Sequence, residues 1–288
     1  MGAILRVQLV GFSSLDGASV VFDSDRRGHP FVEELLHLWR FRELVLLWTG
    51  RNVKLRYKRS VLGVLWTLLE PLMLMSILTM VFSQLFRFQL AHYPIYLLSG
   101  LLLFDFFSRS TLQIVDEVVA SDGLASRIYV PRTVFSLATV LSYLLSWVIA
   151  LVPLLAMVVV LGLPVSAGLW SVPFGMILAA LLALGVGLVV ATLGASFHDV
   201  KLTYQVLLTA WFYATPIIYP LDVVPDQYQP LLRLNPLLHL SSLVRDPVFV
   251  GRVAPMSSWL VAFATSASVA ILGWWTFTSR SATLEYRS

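Results

Sequence analysis

The chain has 288 residues, 58% of them hydrophobic and only 12% charged, with a mean hydropathy of +0.82 and a formal net charge of +4. A soluble domain carries about 25% charged residues, so this composition excludes one, and the solvent for much of the chain must be lipid. The absence of cysteine excludes disulfides and thiol chemistry, and the basic excess lies beside apolar runs, which points to membrane orientation rather than nucleic-acid binding.

Residues 1–30 read as a mixed polar tail. Their apolar start, residues 4–12, is broken by Arg6 and Gln8 and lacks a long apolar core and a cleavage site, so no signal peptide is expected. Asp23-Ser24-Asp25 has the form of a metal-binding DxD, but nothing around it supports a nucleotide-sugar site.

Residues 31–59 predict an amphipathic helix on the cytoplasmic membrane interface. Leu38, Phe41, Val45, Trp48 and Leu55 share one face. Arg40, Glu43, Arg51, Lys54 and Lys58 share the other, interrupted by Leu47. Apolar and aromatic residues opposite Arg and Lys suit a helix lying in the interface. Five of the nine residues from Arg51 to Arg59 are basic, and they anchor the start of the first span.

The remainder, 60–288, predicts an all-α membrane domain. A spanning helix needs about 20 mostly apolar residues. Six stretches qualify, at about 61–85, 94–115, 134–161, 172–196, 202–219 and 257–278. Placing the N-terminus in the cytoplasm leaves most of the Lys and Arg on that side and returns the C-terminus there. In the fourth span, Gly175, Ala179, Ala183, Gly187, Ala191 and Ala195 recur every four residues. This small-residue stripe is read as packing. Its drift around the helix implies that one partner uses only part of it.

Residues 216–255 hold seven of the 14 prolines, between apolar clusters such as Leu231, Leu232 and Leu234. Proline interrupts helices. Short re-entrant helices before the last span, forming an outer gate at 220–250, are one reading; an external loop on the lipid surface is the other.

Charges inside spans are costly, about 2.5–3.5 kcal/mol at a helix centre. Glu70 in the first span and Asp105 and Arg109 in the second could meet, since the two spans are sequential and antiparallel. They predict a charge cluster that either faces a pore or simply pairs the two helices. Aromatic residues are concentrated among Trp66, Phe82, Phe86, Trp211, Phe212, Tyr213 and Tyr219. They could line a channel or fill a bundle core. There is no GxxxxGK[ST], and none of the three lysines follows a glycine, so no P-loop ATP hydrolysis is expected here. The five histidines lack metal-ligand spacing, and no nucleophile–base set is found, so neither a metal site nor a catalytic site is expected.

The run from Arg56-Tyr57-Lys58 through Ser60, Leu62, Gly63, Trp66 and Pro71 to Phe82-Ser83 resembles the transmembrane permease of ABC exporters of polysaccharide and polyol phosphate, of the O-antigen, capsule or teichoic-acid type. "GLASRIYVPRTVF", "FHDV", "TPIIYPLDVVP" and "LNPLLHLSSLVRD" continue the resemblance in order. It implies a bacterial inner-membrane subunit that pairs with a second copy of itself and binds two cytoplasmic ABC ATPase subunits. Those partners carry ATP and Mg; this chain carries no cofactor. It implies ATPase coupling at Leu124, Arg127, Tyr129, Pro131 and Arg132, and at His198 and Asp199. It implies a path lined by the first and fifth spans and their aromatics. Arg51, Lys54, Arg56, Lys58 and Arg59 would stand where the diphosphate head group of a lipid-linked glycan enters, which suits cation–phosphate attraction. The sequence departs from the family in carrying His198 where Arg often stands, and in Glu70, Asp105 and Arg109. Other readings are an ABC permease for a drug or lipid, a membrane glycosyltransferase, or a passive channel.

Overall fold

A computed structural model describes residues 38–85, 92–125, 130–163, 167–195, 197 and 199–284. The Asp23/Asp25 pair, Phe86, Arg127, Tyr129 and His198 lie outside the described residues, and of Leu124 only the backbone is described. The helices are α1 (Arg42–Tyr57), α2 (Trp66–Met80), α3 (Tyr93–Ala125), α4 (Arg132–Val160), α5 (Val172–Gly194), α6 (Asp199–Tyr213), α7 (Gln229–Arg233), α8 (Pro236–Arg245) and α9 (Met256–Leu284). Among the described residues, five helical segments are long and apolar enough to cross a membrane: Gly63–Ser83, Tyr93–Val118, Arg132–Val160, Gly168–Gly194 and Met256–Arg280.

The predicted fifth span differs. Helix α6 has 15 residues, about 22 Å at 1.5 Å per residue, against a hydrocarbon core of about 30 Å. It stops at Tyr213 because Pro216 supplies no backbone N–H and biases Thr215 away from helix. The chain nonetheless keeps its course along α3. Lys201 pairs with Asp116, Tyr204 bonds Thr111, Trp211 meets Phe107 and Phe212 meets Phe104. Beyond the helix, Ile217 abuts Gly100, and the Tyr93 hydroxyl donates to the Ile218 carbonyl. Residues 199–219 therefore run antiparallel to α3 from Asp116 to Tyr93, as a helix with an irregular final stretch.

Helices α3 and α5 form the centre, with α4 and α9 packed around them. Lipid gives no hydrophobic drive for helices to associate, so close van der Waals packing must supply it. The tightest approach is between α5 and α9. A Cβ on Gly273 would sit 2.2 Å from the Gly185 carbonyl oxygen, and one on Gly185 would sit 2.5 Å from the Val269 carbonyl oxygen. The small-residue stripe of α5 is shared between partners, as its drift implied. Gly175 faces Leu243 of α8, while Gly187 faces Ile114 of α3. Gly185, outside that stripe, makes the closest contact of all.

Helix α1 runs in the same direction as α4. Val45 clusters with Val134 and Ala138, Asn52 bonds Thr139 at 3.5 Å, and Arg56 reaches Ser142 and Ser146. Leu38, Phe41, Val45 and Trp48, the face expected to meet lipid, are taken up by this contact, whereas Leu46, Leu47 and Leu55 are exposed. An apolar stripe records only that a face avoids water; a neighbouring helix satisfies it as well as lipid does.

The proline-rich segment forms short helices. Pro236 opens α8 at its first position, where a missing N–H costs nothing. The Asn235 side chain caps that end by accepting from the Leu237 N–H at 3.0 Å. Leu237, Leu240, Leu243 and Val244 are buried against α3, α5 and α9. Helix α8 is thus an internal part of the bundle rather than a surface loop.

Candidate functional site

Helix α2 is the least embedded of the long apolar helices, with Met75 its only buried residue. It is held by polar contacts. The Tyr57 and Thr67 hydroxyls share a hydrogen bond, and Arg109 of α3 pairs with Glu70. The same guanidinium donates through Nε to Asp105 Oδ1 at 2.5 Å, one helical turn away on α3. The structure thus joins the three charges that the sequence singled out. Their side chains are 44%, 52% and 48% exposed for Arg109, Glu70 and Asp105.

These charges border a recess of about 220 Å³ between α2, α3 and α4, closed below by the end of α1. Arg56 enters it from α1. It donates to Ser146 Oγ at 2.6 Å and Ser142 Oγ at 3.1 Å, and its guanidinium carbon lies 3.7 Å from the Tyr143 ring centroid. The resemblance groups Arg56 with the head-group cations; in the structure it lies between helices, bonded to Ser142 and Ser146. Thr139, Ser142 and Ser146 form a polar stripe on an otherwise apolar span, a signal that was present in the sequence. Arg51, Lys54, Lys58 and Arg59 remain exposed.

The aromatic residues divide. Trp66 is exposed at the mouth of the recess, and Tyr213 is exposed on α6. Trp211 and Phe212 instead pack edge-to-face on Phe107 and Phe104, and Trp211 Nε1 donates to Asn235 Oδ1 at 2.9 Å. Phe82 packs against the core, and the Tyr219 hydroxyl donates to the Tyr213 carbonyl. A wide aromatic ring satisfies a helix interface as readily as a channel wall, so their enrichment alone could not separate the two. A second, shallow groove runs between α3 and α6, lined by Ser108, Gln205, Thr209 and Tyr213 among others. The weakly embedded helices α2 and α6 therefore flank one face of α3, and that face carries Asp105, Ser108 and Arg109.

At the Tyr93 end of α3, buried Arg245 holds the break after α6. Its Nη1 donates to the Pro216 carbonyl at 3.0 Å, and its guanidinium carbon lies 3.7 Å from the Tyr96 ring centroid. The Tyr96 hydroxyl donates to the carbonyls of Pro216 and Tyr219. Asn235 Nδ2 donates to Thr215 Oγ1 at 2.8 Å. Irregular backbone at membrane depth persists only where protein satisfies its polar groups, and these side chains do so. The sequence reading did not single out Arg245, Tyr96 or Asn235.

At the other end, Lys201 Nζ meets Asp116 Oδ1 at 2.6 Å. Asp199 and Phe197 are exposed, Pro131 is half-buried and Arg132 is buried at the start of α4. Of the coupling residues implied by the resemblance and described here, Asp199 is the one with an open side chain.

Residues 43–249 match the ABC-2 type transporter family. The chain belongs to that family. This ABC-2 chain is 26% identical over 232 residues to the O-antigen export system permease protein RfbA of Klebsiella pneumoniae, covering 80% of this chain and 89% of the relative. It is 28% identical to the protein of the same name from Myxococcus xanthus, covering 82% and 90%. It is also 28% identical to the polysialic acid transport protein KpsM of Escherichia coli, covering 71% and 80%. The ABC-2 chain is thus a multi-pass membrane permease of the ABC transporter class. The match begins within α1 and ends in the turn after α8, so it takes in both the ionic recess and the Arg245 clasp.

Proposed function

We propose that this chain is the channel-forming subunit of an ATP-driven exporter that moves a lipid-linked polysaccharide or polyol-phosphate polymer out of the cytoplasm. The observation that carries this reading is the polar face of α3 between α2 and α6, with half-exposed Glu70, Asp105 and Arg109. Ions with that exposure along an apolar span are too costly to leave against hydrocarbon. They call for a water-filled conduit on this side, closed by a second copy of the chain. The names of the relatives supply the cargo class.

With residues 199–219 counted as a crossing alongside α3, six crossings put both termini in the cytoplasm. The Asp116–Lys201 end then faces the cytoplasm, together with the exposed cations Arg51, Lys54, Lys58 and Arg59. That end receives two ABC ATPase subunits, which carry ATP and Mg. Closure of the ATPases acts through the segment around residues 120–132 and through the Phe197–Asp199 turn. Arg245 and the short helix α8 hold the opposite, outer end. The test is purification from native membranes in mild detergent. A stoichiometric P-loop ATPase and a dimer of this chain are expected; a preparation free of any ATPase would overturn the reading.

A further inference from the structure

The recess and the exposed cations of α1 are neighbours with different chemistry. Tyr57 lines both the recess and a shallow surface formed by Arg51, Lys54, Lys58, Leu46, Leu47 and Leu55. That surface carries three cations and no acid, beside exposed leucines. It suits an anionic head group on an apolar chain. The recess holds two cations and two carboxylates, Arg56 and Arg109 against Glu70 and Asp105. Its net charge is zero, and any anion inside would face both carboxylates.

The two ion pairs use one oxygen of each carboxylate, Glu70 Oε1 and Asp105 Oδ1. Among the described residues, the second oxygen of each accepts no hydrogen bond. Two such acceptors, with the Arg109 fork as a donor and exposed Trp66 as an apolar wall, match the alternating hydroxyls and C–H faces of a sugar ring. At about 220 Å³ the recess is smaller than the roughly 300–1,000 Å³ of pockets that bury drug-sized ligands, a size that suits a single ring. We propose that this recess binds a single neutral sugar unit of the glycan, the one next to the lipid diphosphate, while the adjoining cations of α1 hold the diphosphate. This rests on the glycan-export reading above. It adds a subsite that selects the reducing-end sugar before translocation.

The natural absence of cysteine makes the test direct. Thr67→Cys and Ser60→Cys each place one thiol in the recess, and Leu47→Cys places one on the cationic surface while keeping its cations. The full chain, with its copurified ATPase, is reconstituted in lipid vesicles and labelled with a charged methanethiosulfonate. Labelling is repeated with a panel of neutral hexyl glycosides (gluco, galacto, manno and N-acetylgluco) and with hexyl phosphate. The recess thiols should label, and at least one glycoside should slow that labelling several-fold while hexyl phosphate does not. The Leu47→Cys thiol should show the opposite preference. Unreactive thiols at both recess positions, or protection by phosphate as strong as by every glycoside, would overturn the proposal. So would no protection by any glycoside. Each of these results leaves the exporter reading standing if the ATPase copurifies and glycan export continues; loss of the ATPase itself counts against that reading instead.

Discussion

The guanidinium carbon of Arg245 lies 3.7 Å from the centroid of the Tyr96 ring, and both side chains donate to the Pro216 carbonyl. One residue comes from the short helix α8 and the other from the first turn of α3. Together they supply donors to a carbonyl that no helical N–H reaches beyond the break in α6. The relationship explains how a 15-residue helix can belong to a segment that runs as long as the apolar span beside it.

Arg245→Met removes the cation and leaves the Pro216 carbonyl with Tyr96 alone. Losing a hydrogen bond from a charged donor costs about 1.5–3 kcal/mol. The expected outcome is a lower Tm in detergent and faster proteolysis within residues 216–235, with the remaining helices intact. Unchanged proteolysis there would remove the clasp role.

Arg109→Leu leaves Glu70 and Asp105 without their shared cation. The expected result is a sharp fall in monodisperse protein on size exclusion and loss of export. Glu70→Gln keeps the Arg109–Asp105 pair and should be milder in yield. Arg109→Lys restores the charge without the two-pronged fork, so it should recover yield more than export. Equal behaviour of all three variants would show that the ion pairs do not position α2.

Gly273→Ala puts a methyl group against the Gly185 backbone, where a Cβ would come within 2.2 Å of the carbonyl oxygen. Backbone cannot rotate away as a side-chain end can. Overpacking costs typically about 1–3 kcal/mol, and here the upper part of that range is expected. Gly50→Ala, inside α1 at a site with open space around it, is the control and should leave Tm unchanged or slightly raised, since alanine favours helix over glycine.

Lys201 and Asp116 are both partly exposed, so their pair adds only about 0–1 kcal/mol to stability. Lys201→Glu should therefore leave Tm nearly unchanged. It repels Asp116 at the end assigned to the ATPase, and should reduce export per ATP hydrolysed. The exchange Lys201→Asp with Asp116→Lys should restore coupling. A normal export-to-hydrolysis ratio in Lys201→Glu would free this pair of any coupling role.

Much of the fold was legible in the chain itself, because long apolar runs leave little choice. Backbone groups in hydrocarbon must be satisfied within the segment, so such a run becomes a helix. Five helices stand where hydropathy put them. The fourth-span stripe announced close packing, and Glu70, Asp105 and Arg109 stood out because charge is rare and costly there. Their meeting required only that sequential spans be antiparallel.

What composition could not supply was the identity of neighbours. The apolar face of α1 was compatible with lipid, yet α4 occupies it. Trp211 and Phe212 suited a channel wall, yet they pack on α3. Arg56, between two other cations near the start of a span, looked like a head-group ligand until Ser142, Ser146 and Tyr143 were brought beside it. Arg245 carried no local signal at all, since its partners lie 28 and 29 residues away at Ile217 and Pro216. Hydropathy is a property of each segment and survives in the sequence. Which groups satisfy one another is set by helix order, depth and rotation, and those exist only once the helices have packed.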